Sequence, residues 1–345
     1  MMCLATNFLS RQQKWKRRIP VRLLHAALLC SQPAFAAHPV LELPVRCSLG
    51  HDCFVQNYFD HDPGTGWSDY SCGYLSYDGH TGTDFRLPGM NAMRQGVAVV
   101  AAASGVVVGL RDGEPDVPVL LHHGEPETGK RLAGNAVRID HGDGWETQYS
   151  HLRQGSVAVR LGQQVHAGDK LGLVGLSGNT EFPHVDLTVR HGGRAVDPFA
   201  PSGKHTCAGN NDSADSLWKP ELMDNLKYIP TGILLTGWAN EAPNQNKARN
   251  GEYSDPDTDA KALVFWVEVF GAQTGDHQVF VMFDPQGRQM LKSEATIPGN
   301  KAAWFSYAGK PRPPQGWKAG AYRAEYRLER KGTTIITTAR NIRIP

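Results

Sequence analysis

Short strand-like segments separated by turn residues constrain this chain more than any other feature of its sequence. Segments rich in Val, Ile, Leu and aromatic residues recur from residue 96 onward, and Gly, Asn and Asp separate them. No long segment has the 3.6-residue periodicity of a helix, which argues against strands alternating with helices. The 37 glycines and 22 prolines agree with many turns. The sequence therefore predicts an all-β protein with antiparallel sheets.

The 345 residues suggest about two domains. The strand segments form two groups, and a polar stretch between them is predicted to be a linker at residues 207–229. The first domain is predicted at 37–206, and the second, at 230–345, is predicted to be a small immunoglobulin-like β-sandwich. Strands are predicted at 96–102, 105–110, 117–121, 136–139, 146–150, 157–159 and 171–174 in the first group, and at 262–270, 277–283, 302–307, 321–328 and 333–344 in the second.

The N-terminus has the features of an export signal. Basic residues between positions 14 and 22 precede an apolar run at 23–29, and Ala34-Phe-Ala36 has the small-x-small form of a cleavage site. We predict a signal peptide at 1–36 and a periplasmic or secreted protein, with a disordered basic tail as the alternative. No other apolar run reaches about 18 residues, so no transmembrane segment is predicted after signal removal.

Four cysteines remain after the predicted signal: Cys47, Cys53, Cys72 and Cys207. An even number in an exported protein predicts disulfides, and four cysteines permit three pairings. We favour a local Cys47–Cys53 bridge and a Cys72–Cys207 bridge between the two ends of the first domain. The formal net charge of +2 shows no excess that would suggest a nucleic-acid partner.

Residues 181–190 are predicted to form a strand that carries an imidazole and a carboxylate. Side chains two residues apart lie on the same face of a strand, so His184 and Asp186 project together, while Val185 and Leu187 face a core. An imidazole and a carboxylate aimed at one point are typical of a metal or acid–base site. The alternative is that both are solvated on the outer face of an antiparallel sheet.

Two further motifs precede this strand. His80-Thr-Gly82-Thr-Asp84 places an imidazole and a carboxylate four residues apart, and we expect Gly82 to let the backbone bend so that both reach one point. Tyr149-Ser-His151-Leu152 reads as the end of a strand followed by a turn. Each motif alone is a weak signal, because most histidines of this kind are structural or solvated.

In this order and spacing, the three motifs resemble the M23 metallopeptidases, the lysostaphin-like or LytM-like endopeptidases that cut peptidoglycan cross-links. The resemblance covers roughly residues 70–200 and implies a LytM-like antiparallel β-sheet domain. It implies that one Zn²⁺ is bound by His80, Asp84 and Asp186. It also implies that His151 and His184 are catalytic and flank the attacking water and the scissile carbonyl.

The chain departs from the family pattern at Asp186, where the family has histidine. A carboxylate is an accepted zinc ligand, but its side chain is shorter than that of histidine and adds a negative charge. That charge weakens the ion as a Lewis acid and shifts the preference toward harder divalent metals such as manganese. The sequence therefore leaves open whether the site holds Zn²⁺ or another divalent ion.

The favoured interpretation is an exported zinc-dependent endopeptidase that hydrolyses peptide bonds in the stems or cross-bridges of peptidoglycan. Four of the five side chains that the family pattern requires are present, and the fifth is another possible ligand. The main alternative is a non-catalytic, degenerate M23-like domain that binds cell wall or activates another hydrolase. A plain β-rich binding protein with accidental histidines is the third interpretation.

Overall fold

The computed structural model describes residues 38–119, 131–203 and 215–345. The predicted signal peptide lies outside these residues. Within them, the helices are α1 (Met90–Gln95), α2 (Gln245–Asn250) and a 3₁₀ turn at Pro220–Leu222, and most other regular structure is β. No helix in the described part of the chain has the length and apolar character needed to cross a membrane. The all-β prediction is therefore confirmed.

Ten strands form the first half of the protein. They are β1 (Phe54–Asn57), β2 (Thr83–Arg86), β3 (Ala98–Val100), β4 (Gly105–Arg111), β5 (Asn135–Gly142), β6 (Trp145–Leu152), β7 (Gln164–Val165), β8 (Lys170–Leu173), β9 (His184–His191) and β10 (Arg194–Val196). Eight strands form one sheet in the order β1-β2-β9-β6-β5-β4-β7, with β10 beside β9, while β3 pairs with β8. Pairing within both sheets is antiparallel.

Strand β9 lies between β2 and β6 and has the alternation that the sequence predicts. Val185, Leu187 and Val189 are fully buried on one face. Because alternate residues point to opposite faces, His184 and Asp186 lie on the other face. The apolar face of β9 therefore fixes the direction of its polar side chains.

Two of the predicted strand segments are not strands where the structure describes them. Residues 117–119 and 157–159 form no strand. The Asp112 carboxylate accepts hydrogen bonds from the backbone N–H groups of Gly155 and Val157. Ala158 N–H donates instead to the backbone carbonyl of Leu171 at 2.8 Å, so residues 157–159 divide their donors between a carboxylate and the backbone. In the other segment, Val119 N–H donates to Thr180 O at 2.9 Å.

Seven strands form the second half: β11 (Gly232–Ala239), β12 (Ala262–Ala272), β13 (His277–Phe283), β14 (Gln289–Thr296), β15 (Lys301–Pro311), β16 (Gly320–Arg330) and β17 (Thr333–Ile344). One sheet has the order β11-β12-β15 and the other β14-β13-β16-β17. Their apolar faces share a core in which the rings of Phe265 and Phe280 lie 6.1 Å apart. This is the predicted two-sheet sandwich, with β11 and β14 as strands that the sequence pattern did not predict.

Residues 215–229, within the predicted linker, pack against the first half. Leu41 N–H donates to Leu217 O at 2.7 Å, and Lys219 N–H donates to Leu41 O at 2.9 Å. Trp218 between them is buried, and its ring lies 5.4 Å from that of Phe199. This part of the segment is ordered by burial of its apolar side chains, while residues 204–214 lie outside the described part. The domain limits themselves stay a prediction.

The two halves contact each other through apolar and polar groups. The ring of Phe54 in β1 lies 5.8 Å from that of Phe270 in β12. Tyr228 Oη donates to Asp69 Oδ2 at 2.7 Å. Phe270 is buried in the same hydrophobic cluster as the core of the first half. The sandwich therefore shares part of its core with the sheet that carries the predicted site.

The predicted Cys47–Cys53 disulfide is present, with 6.1 Å between the two Cα atoms. Cys72 is also disulfide-bonded. Cys207 lies outside the described residues, so the pairing of Cys72 with Cys207 stays a prediction.

Candidate metal centre

The register between β2 and β9 brings the three predicted metal ligands together. Asp84 lies directly opposite Asp186 in this antiparallel pair. Directly opposite residues share one face of a sheet, so the two carboxylates point the same way. His80 lies in the loop before β2, and one ligand atom from each of the three residues lies within 4.8 Å of the others. One imidazole and two carboxylates therefore converge at one point.

The three atoms at this point are buried without a hydrogen-bond partner among the described residues. They are His80 Nε2, Asp84 Oδ1 and Asp186 Oδ1. His80 Nε2 and Asp84 Oδ1 are 3.2 Å apart. Buried polar atoms without partners are rare, because each loses its bonds to water. Imidazole nitrogen and carboxylate oxygen are both ordinary zinc ligands, so the residues fit one divalent ion.

The ring of His80 is oriented by its other nitrogen. Its Nδ1 donates to the backbone carbonyl of Tyr58 at 2.8 Å, and this bond leaves Nε2 facing the carboxylates. The ring of Tyr77 stacks on it at 4.3 Å. Burial lowers the pKa of His80, but the charge and hydrogen bond of Asp84, the charge of Asp186 and the bond to Tyr58 together outweigh burial and raise the pKa to about 9. A metal ion binding here therefore competes with a proton on His80.

The two carboxylates have opposite pKa shifts. Burial acts to raise the pKa of Asp84, but positive charge on His80 and His184 holds that pKa well below its usual range. Burial and the negative charge of Asp84 raise the pKa of Asp186 to about 7. Asn57 Nδ2 donates to Asp84 Oδ2 at 2.7 Å and leaves Oδ1 for the shared point. Two buried carboxylates this close favour a proton or a cation between them.

Gly82 leaves space for the Asp186 carboxylate. A Cβ atom on residue 82 would lie 1.7 Å from Asp186 Oδ1 and 2.8 Å from its Cγ. The φ angle of Gly82 is not in the left-handed region, so any residue could adopt its backbone conformation. The glycine is therefore needed for close approach, and the bend that was expected from the sequence is not its role.

His151 and His184, the predicted catalytic residues, lie beside the three predicted ligands. Their ring centroids are 4.5 Å apart, and His184 Nε2 lies 3.6 Å from Asp84 Oδ1. His184 begins β9, while His151 lies at the end of β6 with a φ of 62°. This left-handed conformation is uncommon for a residue other than glycine. The fold thus brings all five predicted site residues to one place.

Both histidines keep one ring nitrogen as a proton acceptor. His151 Nδ1 donates to Ser177 O at 2.8 Å, and His184 Nδ1 donates to Phe182 O at 2.9 Å. Because a carbonyl oxygen only accepts, Nδ1 carries the proton in each ring and Nε2 is the acceptor in the neutral form. Burial and the neighbouring His184 lower the pKa of His151 to about 3, and burial lowers the pKa of His184.

Two residues at the site were missed from the sequence. Asn57 contacts Asp84 from β1, 27 residues earlier in the chain, and no local pattern marks it. Tyr77 lies three residues before His80 and stacks on its ring. An aromatic residue in a turn-rich loop beside a candidate ligand was the available signal for Tyr77.

Residues 78–198 match the model of peptidase family M23. The match covers 121 of the 345 residues. The M23 region, residues 78–198, contains β2 to β10 and all five site residues: His80, Asp84, His151, His184 and Asp186. The family resemblance predicted from the three motifs is therefore confirmed.

Several curated relatives match part of the chain. A DD-carboxypeptidase/endopeptidase Mpg of Neisseria meningitidis is 33% identical over 160 residues, which are 45% of this chain and 31% of the relative. The peptidoglycan DD-endopeptidase ShyA of Vibrio cholerae is 32% identical over 117 residues, 34% of this chain and 21% of the relative. The cell division protein DipM of Caulobacter vibrioides is 30% identical over 128 residues, 37% and 18% respectively. The chain thus spans less than a third of each relative.

Solved structures match part of the chain at lower identity. A mutant catalytic domain of the prophage-encoded M23 protein EnpA from Enterococcus faecalis is 24% identical, with a TM-score of 0.30, over 47% of this chain and 94% of that one. The catalytic domain of lysostaphin from Staphylococcus simulans is 22% identical, with a TM-score of 0.27, over 41% and 85%. The resemblance of the M23 region to the family rests on the sequence match.

Proposed function

We propose that this protein is a metal-dependent endopeptidase that hydrolyses peptide bonds in bacterial peptidoglycan. The observation that carries the proposal is the convergence of His80 Nε2, Asp84 Oδ1 and Asp186 Oδ1, buried without hydrogen-bond partners in the described structure. The match of the M23 region to a peptidase family supports the reaction type. The relatives named as peptidoglycan DD-endopeptidase and DD-carboxypeptidase/endopeptidase support the substrate.

In this proposal His80, Asp84 and Asp186 hold one divalent ion, Zn²⁺ or a harder metal. When bound, the ion supplies Lewis acidity that polarises a peptide carbonyl and makes a water molecule more acidic. The Asn57 bond to Asp84 Oδ2 and the Tyr58 bond to His80 Nδ1 fix the two ligands from behind. These outer contacts orient the ligand atoms before any ion arrives.

His151 and His184 are the proton-transfer groups of the proposal. Each directs its Nδ1 proton to a backbone carbonyl, so each has an Nε2 lone pair for accepting a proton from water. Burial lowers both pKa values, so both rings are neutral at neutral pH. A ring that has accepted a proton donates a hydrogen bond to the oxyanion and then releases the proton to the leaving nitrogen.

The second candidate is a non-catalytic domain that binds cell wall or activates another hydrolase. Asp186 favours it, because this carboxylate stands where the family pattern has histidine and gives the ligand set one more negative charge. That charge weakens the Lewis acidity of a bound ion. The intact set of His80, Asp84, His151 and His184 favours the enzyme.

We further propose that the protein works outside the cytoplasm, in the periplasm or secreted. The Cys47–Cys53 disulfide and the bonded state of Cys72 are typical of an oxidising compartment. The export sequence predicted at residues 1–36 agrees with this location.

Digestion of purified cell wall tests the function directly. The natural protein with defined zinc is expected to release soluble peptide fragments, and EDTA is expected to stop the release. The Asp186→His variant under the same conditions is the matched comparison. An inert natural protein and an active variant would overturn the proposal, because the fold would then be competent and this chain would lack catalysis.

A further inference from the structure

A buried ionic group lies between the M23 region and the second half of the protein. Glu268 in β12 is fully buried, and its Oε1 accepts hydrogen bonds from Arg249 Nε at 2.9 Å and Gln245 Nε2 at 3.0 Å. The same oxygen lies 3.5 Å from Arg86 Nη2 in β2. Arg86 is fully buried as well. A carboxylate from the sandwich therefore neutralises a guanidinium on a strand of the M23 region.

Arg86 is closely connected to the candidate metal centre. It lies two residues after Asp84 on β2 and directly opposite His184 on β9. Its guanidinium lies over the ring of Phe182, 4.3 Å from the ring centroid. A guanidinium in this position is attracted to the aromatic face, and the attraction grows when the pair is desolvated. Arg86 therefore holds Phe182 from one side.

Phe182 in turn contacts His184 in two ways. The two ring centroids are 4.9 Å apart. The carbonyl oxygen of Phe182 accepts the His184 Nδ1 hydrogen bond at 2.9 Å. That bond selects the tautomer in which Nε2 is free, because the other nitrogen carries the proton. Movement of Phe182 would therefore change both the position and the tautomer of the His184 ring.

We infer that Glu268 is a positioning residue for His184, which it holds in place through Arg86 and Phe182. Without the carboxylate, the buried guanidinium has no counter-charge in the sandwich and moves toward other polar groups. The ring of Phe182 then loses its partner, and the hydrogen bond to His184 loosens. The second half of the protein thus contributes to the site without touching the reacting atoms. The effect that we expect on kcat rests on the proposed function, whereas the positioning of the His184 ring does not.

The test uses full-length protein and three variants. Glu268→Gln removes the charge and keeps the shape of the side chain. Phe182→Leu interrupts the connection in its middle and leaves the Glu268–Arg86 pair intact. Val267→Ala is the matched control, because Val267 is a neighbouring buried residue of β12 whose side chain belongs to the sandwich core. It lowers stability without touching Arg86.

The first measurement is peptide cleavage. We expect Glu268→Gln and Phe182→Leu each to lower kcat about 10-fold with little change in KM, and the double variant to lose no more than either alone. Val267→Ala is expected to keep the natural kcat below its unfolding temperature. A natural kcat for Phe182→Leu, or additive losses in the double variant, would overturn the inference.

The second measurement does not depend on activity. In protein with isotope-labelled histidine, the imidazole resonances of His184 are assigned by their loss in His184→Gln. We expect them to shift in Glu268→Gln while those of the distant His141 stay in place. Unchanged His184 resonances in folded Glu268→Gln would show that the ionic group serves packing alone. If the natural protein cleaves no peptide, the proposed function has failed, and the resonances still decide the positioning role.

Discussion

The protein buries two clusters of charged groups, and the clusters differ in which charges they contain. The metal-centre cluster, His80, Asp84 and Asp186, combines two carboxylates with one imidazole. The ionic cluster, Arg86, Arg249 and Glu268, places a carboxylate between two guanidinium groups. Each cluster leaves some polar atoms without hydrogen bonds in the described residues. Only the ionic cluster contains a permanent cation, because the charge of the His80 imidazole in the metal-centre cluster depends on pH.

This difference shows how buried charge can be interpreted. Acidic groups that face one another without a permanent donor indicate a ligand, because repulsion would otherwise expose or protonate them. Acidic and basic groups that face one another indicate structural packing, since the partners are already in the chain. The two clusters meet on one short stretch of β2, at Asp84 and Arg86, so variants can separate the two roles.

The largest effect is expected from breaking the ionic cluster. Glu268→Gln leaves Arg86 buried without its counter-charge, and removal of one partner of a buried pair costs about 3–5 kcal/mol. We expect the free energy of unfolding, measured with urea, to fall by about 3 kcal/mol or more. Metal stoichiometry is expected to stay at one ion per chain. A loss of stability below about 1 kcal/mol would show that the pair is balanced by other groups.

The next effect comes from breaking the metal-centre cluster. Asp84→Asn removes a proposed ligand, and even the outer contacts of metal sites are worth about 10- to 100-fold in affinity. We expect the dissociation constant for zinc, measured by calorimetry, to rise by at least about 100-fold. Asp78→Asn, a change at an exposed acid of the same loop, is the control and is expected to bind zinc normally. Equal zinc affinity in both variants would contradict the ligand assignment.

The two clusters are also expected to differ in their response to pH. The pKa values of Asp186 and His80 are raised to about 7 and about 9 in the folded, metal-free protein. Each raised pKa contributes to the free energy of unfolding. This contribution is complete at pH values below the pKa of the unfolded chain and is lost as pH rises through the pKa of the folded protein. Below about pH 6.5 the lowered pKa values of His151 and His184 act in the opposite direction, because unfolding then takes up protons at these rings. Metal-free protein should therefore lose about 2 kcal/mol of unfolding free energy between about pH 6.5 and pH 8.

Added zinc is expected to reverse this trend, because metal ligands must be deprotonated and binding strengthens as pH rises. Urea unfolding at each pH, with EDTA and with zinc, measures both curves. Parallel curves with and without zinc would mean that these groups do not bind the ion.

The smallest predicted effect concerns Gly82. In Gly82→Ala the new methyl group pushes the Asp186 carboxylate away, since a Cβ atom only 1.7 Å from Asp186 Oδ1 is sterically impossible. We expect zinc affinity to fall about 10-fold with little change in the fold. Gly79→Ala is the comparison, because open space surrounds residue 79 although its φ of +73° favours glycine. If Gly79→Ala weakens zinc binding as much, loop strain and not the carboxylate is responsible.

The strands and the site were predictable where the sequence carries a local pattern. The alternation in β9 predicted that Val185 and Leu187 are buried opposite His184 and Asp186, and the structure agrees. Only the resemblance to a family predicted that the separate motifs form one site, because no local sequence pattern indicates that β2 pairs with β9. Asn57 was missed for the same reason, since a long-range contact with Asp84 leaves no mark near residue 57.

The strand predicted at residues 157–159 is wrong, because a side chain replaces part of the backbone pairing there. Residues 157–159 have strand-like composition, yet the Asp112 carboxylate accepts from the Val157 backbone N–H. Glu268 was passed over, although a lone acid inside the apolar run of β12 is the usual sign of a buried partner. This pattern predicts that Glu268 has a charged partner but not which residue it is, and Arg86 lies far earlier in the sequence.

The hydrogen bonds of Leu41 with residues 217 and 219 bear on how short a gene fragment can be and still encode a covered core. A segment before the first sheet and a segment after it close on each other, with Trp218 against Phe85 and Phe199. A gene fragment ending at residue 206 would encode the five site residues but leave this apolar surface uncovered. A fragment joined to another gene would therefore need more than the predicted site residues, and it would extend at least through residue 219.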